Sequence, residues 1–193
     1  MGAIFQSLGR TIAAGVALVI ILIVLAGGGI TYGHAWGAFI MRWLHVISGV
    51  MWIGLLWYFN FVQTPSMPKI PDEQKPAISK VIAPEALFWF RWAALSTVVT
   101  GLLLAWMNGY IGSLLTFQRP FTAIAIGMWI GLIMAYNVWF IIWPNQKKAL
   151  GIVQVEAADK AKAARMAMLT SRFNTMLSIP LLYCMVAQQN GGL

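Results

Sequence analysis

Apolar residues recur in long runs along this chain, and polar residues concentrate between the runs. Five runs stand out, at residues 11–30, 36–63, 86–110, 121–143 and 173–188. About 20 apolar residues in a helix cross a hydrocarbon core roughly 30 Å thick, a length that all but the last run reach. The pattern predicts an all-α integral membrane helical bundle of about five transmembrane helices, with a four-helix core plus an N-terminal span.

Proline and alanine define the segments between the runs. Because proline lacks a donor N–H, Pro144 is expected to end the fourth run, and five prolines predict a connection of about 20 residues after the second. These are Pro65, Pro68, Pro71, Pro76 and Pro84. Residues 146–172 are polar and alanine-rich, which favours an extramembrane helical segment that leads into the fifth run. Residues 1–193 are therefore interpreted as a single membrane domain.

The distribution of charge gives the bundle an expected orientation. With five spans, only Arg42 and Arg119 fall on one side, whereas the other basic residues and all five acids fall on the opposite side. The positive-inside rule then predicts a cytoplasmic N-terminus, a C-terminus on the periplasmic side and a cytoplasmic position for residues 146–172. The net charge of +8 lies in the connections between apolar spans, which argues against a nucleic-acid partner. The expected partner is the lipid bilayer.

His45 is the most informative polar residue within a predicted span. At helical spacing it shares a face with Gly49 and Trp52, and a glycine allows a flat group to approach the backbone. One interpretation is a b-type haem, with His45 as the ligand of the haem iron and Gly49 and Trp52 in the cofactor-binding site. The alternative is a histidine whose hydrogen bonds are satisfied by a neighbouring helix. No CxxCH motif occurs in this sequence, so covalent attachment of a c-type haem to it is excluded.

Several polar residues fall near the predicted cytoplasmic ends of spans three, four and five. They suggest a polar cluster that binds an anionic substrate or a quinone head group, or alternatively a network that ties the helices together. The residues are Glu85, Arg91, Asn137, Asn145, Arg172 and Asn174. No catalytic residue can be named, because the motifs of phosphate-binding loops, zinc proteases and serine hydrolases do not occur in the sequence. In span four, Gly127, Gly131 and Ala135 recur at the spacing that lets membrane helices pack closely.

Four blocks of sequence carry a resemblance to a known family. They are RWLHVISGVMWIGLLWYFNFVQ (residues 42–63), APEALFWFRW (83–92), YNVWFIIWPNQKK (136–148) and SRFNTMLSIPLL (171–182). In this order they resemble the membrane domain of bacterial urate hydroxylase of the PuuD type, the urate oxidase N-terminal family. The first block is also similar to small haem-associated four-helix proteins such as membrane protoporphyrinogen oxidase.

The resemblance implies a membrane redox protein of the bacterial inner membrane, in a short form without the cytochrome c domain of the fused enzymes. A urate hydroxylase-type oxidoreductase of this form is expected to hold haem b at His45 and pass electrons to a separate cytochrome c. The alternative is a noncatalytic accessory subunit of a larger respiratory or oxidase complex, with other membrane subunits as partners.

Overall fold

The computed structural model describes residues 2–192. The chain forms two compact units, which meet in the sequence after Gly37. Every regular element within residues 2–192 is helical. The first unit contains a short helix α1 (Gly2–Phe5) and the apolar helix α2 (Leu8–Ala26). The predicted N-terminal run is therefore helical, but the helix ends at Ala26 because Gly27 begins a turn.

The second unit is built on four long helical stretches. The first begins with α3 (His34–Trp57), which belongs to this unit from Ala38 onward, and extends to Lys69. The second runs from Lys75 through α6 (Ala83–Met107). The third comprises α8 (Thr122–Tyr136) and its continuation to Ala149. The fourth is α10 (Ala157–Asn190), which packs on the third along much of its length. A short helix α7 (Ile111–Leu115) lies in the turn between the second and third stretches.

Three π-helical segments interrupt the α-helices, and each one ends two residues before a proline. They are π1 (Tyr58–Gln63) before Pro65, π2 (Ile78–Ile82) before Pro84 and π3 (Asn137–Ile142) before Pro144. In each case the N–H of the next residue donates to a carbonyl five residues back. This wider turn accommodates the proline ring, which in a regular α-helix would clash with the carbonyl four residues earlier.

These segments correct two predictions made from proline. The chain stays helical through Pro65 to Lys69 and resumes at Lys75, so the break after the second run is far shorter than the expected 20 residues. Pro144 does not end the third stretch, which continues as α9 (Trp143–Ala149). Short helices α4 (Thr64–Ser66) and α5 (Lys75–Ala77) border the break, with a 3-10 turn at Met67–Lys69.

The polar segment at residues 146–172 is helical only in part. Its first residues complete α9, residues 150–156 form a turn and an extended link, and the remainder opens α10. As predicted, the helix then continues without interruption into the fifth apolar run. The placement of this segment outside a membrane remains a prediction.

Four helices within residues 2–192 are long and apolar enough to cross a membrane, where the sequence predicted about five. They are Leu8–Ala26, His34–Lys69, Lys75–Met107 and Thr122–Ala149. The fifth run, in α10, contains Asn174 and Ser178, and both side chains are completely buried in the bundle. The polar residues that reduce its hydropathy therefore face protein.

The core of the second unit lies between α3, α6, α8 with π3, and α10. Its most deeply buried large side chains include Trp52, Leu56, Phe90, Met134 and Val138. Large apolar side chains also remain exposed around the outside of the bundle, among them Val50, Val99, Ile133 and Ile179. An apolar exterior around an apolar core is the arrangement expected of helices that face lipid.

Candidate functional site

His45 is held against α6 by its Nδ1 atom. That nitrogen lies 2.9 Å from the carbonyl oxygen of Thr97 and 3.3 Å from the hydroxyl of Thr100. A carbonyl oxygen can only accept a hydrogen bond, so the contact with Thr97 places the imidazole proton on Nδ1. The lone pair then resides on Nε2. This is the arrangement in which a neutral histidine ligates a metal through Nε2 while its other nitrogen donates to a backbone carbonyl.

Gly101 provides the space that the His45 ring occupies. A Cβ atom at position 101 would lie 2.8 Å from His45 Cε1 and 3.0 Å from Nδ1, which is closer than these atoms can approach. The sequence analysis did not identify Gly101 or Thr97, because they lie more than 50 residues away from His45 in the chain. Once α3 and α6 are known to pack antiparallel, the glycine at position 101 indicates where the His45 ring fits against α6.

Gly49 and Trp52, predicted to contact the same cofactor, lie in packed surroundings. A Cβ at Gly49 would meet the methyl group of Thr97 at 3.9 Å, and the neighbouring Ser48 and Ser96 hydroxyls are hydrogen-bonded at 2.9 Å. Trp52 is only 1 % exposed and belongs to the hydrophobic core. On the Gly49 face of α3, the contact shown is with Thr97 of α6. Of the three residues, only His45 has a side-chain atom that ligates haem iron.

The six residues predicted as one substrate-binding cluster are not all brought together. Two of them, Asn137 and Asn174, form a buried pair: Asn137 Nδ2 donates to Asn174 Oδ1 at 2.8 Å. Asn174 Nδ2 in turn donates to the Met134 carbonyl at 2.9 Å. These bonds tie α8 and π3 to α10, which corresponds to the alternative interpretation of a network between helices.

Three others of the six are not joined to this pair by a hydrogen bond within residues 2–192. Glu85 is exposed and accepts a hydrogen bond from the Trp89 indole, and the Asn145 amide donates to the Ile141 carbonyl of its own helical stretch. Arg172 is exposed on α10. A binding site shared by these residues with Asn137 and Asn174 remains a prediction.

Arg91, the sixth residue, is buried in α6 with 9 % of its surface exposed. Its guanidinium carbon lies 3.4 Å from the centre of the Trp143 ring, at the start of α9. Its Nε and Nη1 atoms are buried and have no hydrogen-bond partner in the described protein. Arg91 therefore contacts the stretch that carries Asn137 and Asn145 through Trp143.

Further polar contacts, which the sequence analysis did not identify, join the first and fourth helical stretches. The Trp57 indole donates to the Ser178 hydroxyl at 2.9 Å, and the Asn60 amide donates to the Ser171 hydroxyl at 2.8 Å. Ser178 donates onward to the Thr175 carbonyl. Helical spacing of polar residues along α10 could have suggested such a row, but not its partners on the first stretch.

The predicted small-residue face of the third stretch is covered by α10. A Cβ at Gly127 would lie 3.1 Å from Cys184 Cβ, and one at Gly131 would lie 3.7 Å from a methyl group of Leu181. The close approach expected of these glycines is therefore made within the chain. No group of three His, Cys, Asp or Glu side chains within residues 2–192 is arranged to hold a metal ion.

Residues 114–191 match the family described as urate oxidase N-terminal. The match confirms the resemblance for the part of the chain that contains α8, π3, α9 and α10. It includes Asn137 and Asn174, whereas His45 and Arg91 precede it. No curated protein and no solved structure matches the chain.

Proposed function

We propose that this chain, which matches the urate oxidase N-terminal family over residues 114–191, is a membrane redox protein that binds haem b through His45. The proposal rests chiefly on the hydrogen bond from His45 Nδ1 to the Thr97 carbonyl. That bond leaves Nε2 as the ligating atom and fixes the orientation of the ring. The four long apolar helices support a location in a bilayer, for which we propose the bacterial inner membrane.

In this proposal, two residues of α6 orient the imidazole ring of His45 and keep its proton on Nδ1. The Thr97 carbonyl keeps the proton on Nδ1, which increases the basicity of Nε2 toward a metal. Gly101 allows the ring to lie close to α6. A b-type haem, when bound, supplies reversible one-electron transfer.

The position of His45 supports an electron acceptor on one particular side. His45 lies midway along α3 and in the first third of the stretch His34–Lys69, toward the end of the bundle that carries Arg42 and Arg119 rather than the many lysines. By the positive-inside rule that end faces the periplasm. We therefore propose a separate cytochrome c as the acceptor. Urate is the proposed substrate through the family resemblance alone.

The test is a reduced-minus-oxidised visible spectrum with a pyridine haemochrome assay on the full chain purified in dodecyl maltoside. We expect a b-type signature in the wild type and in His34→Ala, and its loss in His45→Ala. A His45→Ala protein that keeps the wild-type spectrum would eliminate His45 as the ligand. A colourless wild type that copurifies with other membrane subunits at fixed stoichiometry would favour the accessory-subunit alternative.

A second variant tests the geometry while leaving the ligand in place. Gly101→Ala places a methyl group where the His45 ring lies, so we expect weaker haem retention and a shifted spectrum. Gly54→Ala is the matched control, because a Cβ there meets no atom within 4 Å. Equal spectra in the two variants would show that the contact with α6 does not position the ligand.

A further inference from the structure

Arg91 is a buried cation without an anionic partner in the described protein. Its Nε and Nη1 donors find no acceptor, and the nearest acid on the same helix, Glu85, is exposed and bonded to Trp89. Arginine remains protonated in proteins, so it cannot relieve this situation by losing its charge. Removing an unpaired ion from water is unfavourable, so an isolated Arg91 would destabilise the fold.

Trp143 stabilises the charge of Arg91 but not its hydrogen-bond donors. The guanidinium lies 3.4 Å from the ring centre, where the negative face of the indole attracts a cation. Such a contact offsets only part of the cost of burying the ion. The Nε and Nη1 donors of Arg91 still lack acceptors.

The hydrophobic core next to Arg91 also contains hydrogen-bond donors without acceptors. The indole N–H groups of Trp52 and Trp139 are also buried without partners. Both side chains and Trp143 belong to, or pack against, one hydrophobic cluster. The one buried side-chain acceptor without a partner in residues 2–192 is Oε1 of Gln63. Acceptor oxygens and negative charge are what Arg91 lacks in the described protein.

We propose that Arg91, stacked on Trp143, is a binding site for the anionic oxygen group of an organic ligand, a carboxylate or a phosphate. Arginine suits such groups because its planar donors match their oxygens. The site is distinct from the haem proposed at His45 and does not depend on it. A soluble organic acid and the head group of an anionic lipid both present this chemistry, and the experiment separates them.

The experiment uses the full chain in dodecyl maltoside, a detergent without charge or phosphate. Benzoate binding is measured by isothermal titration calorimetry, and phosphatidylglycerol is tested by the rise in Tm that it produces. Saturable benzoate binding identifies the soluble acid as the source, and stabilisation by the lipid alone identifies the head group. In either case Arg91→Met should weaken the effect at least about tenfold, the loss expected for a charged hydrogen bond.

Two further variants keep the result interpretable. Arg91→Lys retains the charge but not the planar donors, so it should fold and bind more weakly than the wild type. Arg165→Met removes an exposed arginine from α10 and should bind like the wild type. We also expect Arg91→Met to raise the Tm of the ligand-free protein, because it removes an unpaired buried ion.

The proposal is overturned if neither probe acts on the wild type, or if Arg91→Met and Arg91→Lys respond as the wild type does. A failure of the haem proposal is recognised separately, because the visible spectrum reports on His45. Arg91→Met should leave that spectrum unchanged.

Discussion

Asn174 and Arg91 are both buried polar residues of one helical bundle, yet their hydrogen bonds are satisfied very differently. Both side-chain atoms of Asn174 are paired, with Asn137 and with the Met134 carbonyl. Arg91 has a ring beneath it and two nitrogens without a protein partner. A paired polar group contributes to the stability of the fold, whereas an unpaired one costs free energy that a ligand can recover. Burial alone would not have separated the two roles.

The largest effect is expected for Asn174→Ala. The variant loses two hydrogen bonds and leaves the Asn137 amide buried without its acceptor, so it should lower the free energy of unfolding by about 2–3 kcal/mol. Unfolding by dodecyl sulfate in mixed micelles measures this change. Asn145→Ala is the control, since its amide bonds to its own helical stretch and should cost much less. Equal losses of unfolding free energy would show that the Asn137–Asn174 pair stabilises the fold no more than a hydrogen bond within one helical stretch does.

Trp143→Leu tests the surroundings of Arg91, the buried residue whose hydrogen bonds are not all satisfied. Arg91 would lose the indole that lies under its guanidinium, and we expect a decrease of about 1–2 kcal/mol in the free energy of unfolding. The same substitution in an Arg91→Met background should cost less, because the cation is gone. A double-mutant cycle measures the difference. Identical costs in both backgrounds would contradict an energetic contact between the two side chains.

A smaller effect is expected for Trp57→Phe. This variant loses the indole donor to Ser178, while the Ser178 hydroxyl keeps its own bond to the Thr175 carbonyl. We expect a loss of about 1 kcal/mol in the free energy of unfolding by the same measurement. Trp106→Phe, at an indole that is 66 % exposed, is the matched control and should change stability little.

The smallest effect is expected at the exposed pair of Asp72 and Lys75. Lys75 lies 2.6 Å from Asp72 and lowers the pKa of that carboxyl through its hydrogen bond and its charge. Because the pKa of Asp72 is lowered in the folded state, the ionised carboxylate stabilises the fold at pH values above the ordinary pKa of Asp. This stabilisation is lost as the pH falls through the pKa of Asp72 in the folded protein. Because water and salt screen the pair, Asp72→Asn should leave the Tm at neutral pH unchanged. A clear decrease would show that the break between the first two stretches is held by this ion pair.

Hydropathy predicted most of the helices because lipid and the protein core both select apolar residues. It failed at Pro65 and Pro144, where the lack of an N–H suggested helix ends. Whether a proline ends a helix depends on how the preceding turn is wound, and composition does not specify that winding. The sequence also could not decide whether α10 crosses a membrane, since its polar residues are buried against protein.

The candidate sites were predictable only as single residues. His45 was identified from its position in an apolar span, and Arg91 from its charge near the end of one. The contacts of His45 are made by Thr97 and Gly101 of α6, and the contact of Arg91 is made by Trp143 of α9. Helix packing brings these residues together from distant parts of the sequence. Grouping residues by their expected depth joined Arg91 to Asn137, although in the structure these residues have different neighbours.

The three π-helical segments have a consequence for how this chain is aligned with others. A hydrogen bond to the fifth residue back encloses one residue more than an α-helical turn, and one residue turns the helix by about 100°. Residues beyond π1, π2 or π3 therefore lie on a different face from the one that an uninterrupted α-helix would give them. A relative with straight helices would require a one-residue gap at each segment, and an ungapped alignment would pair lipid-facing positions with core positions.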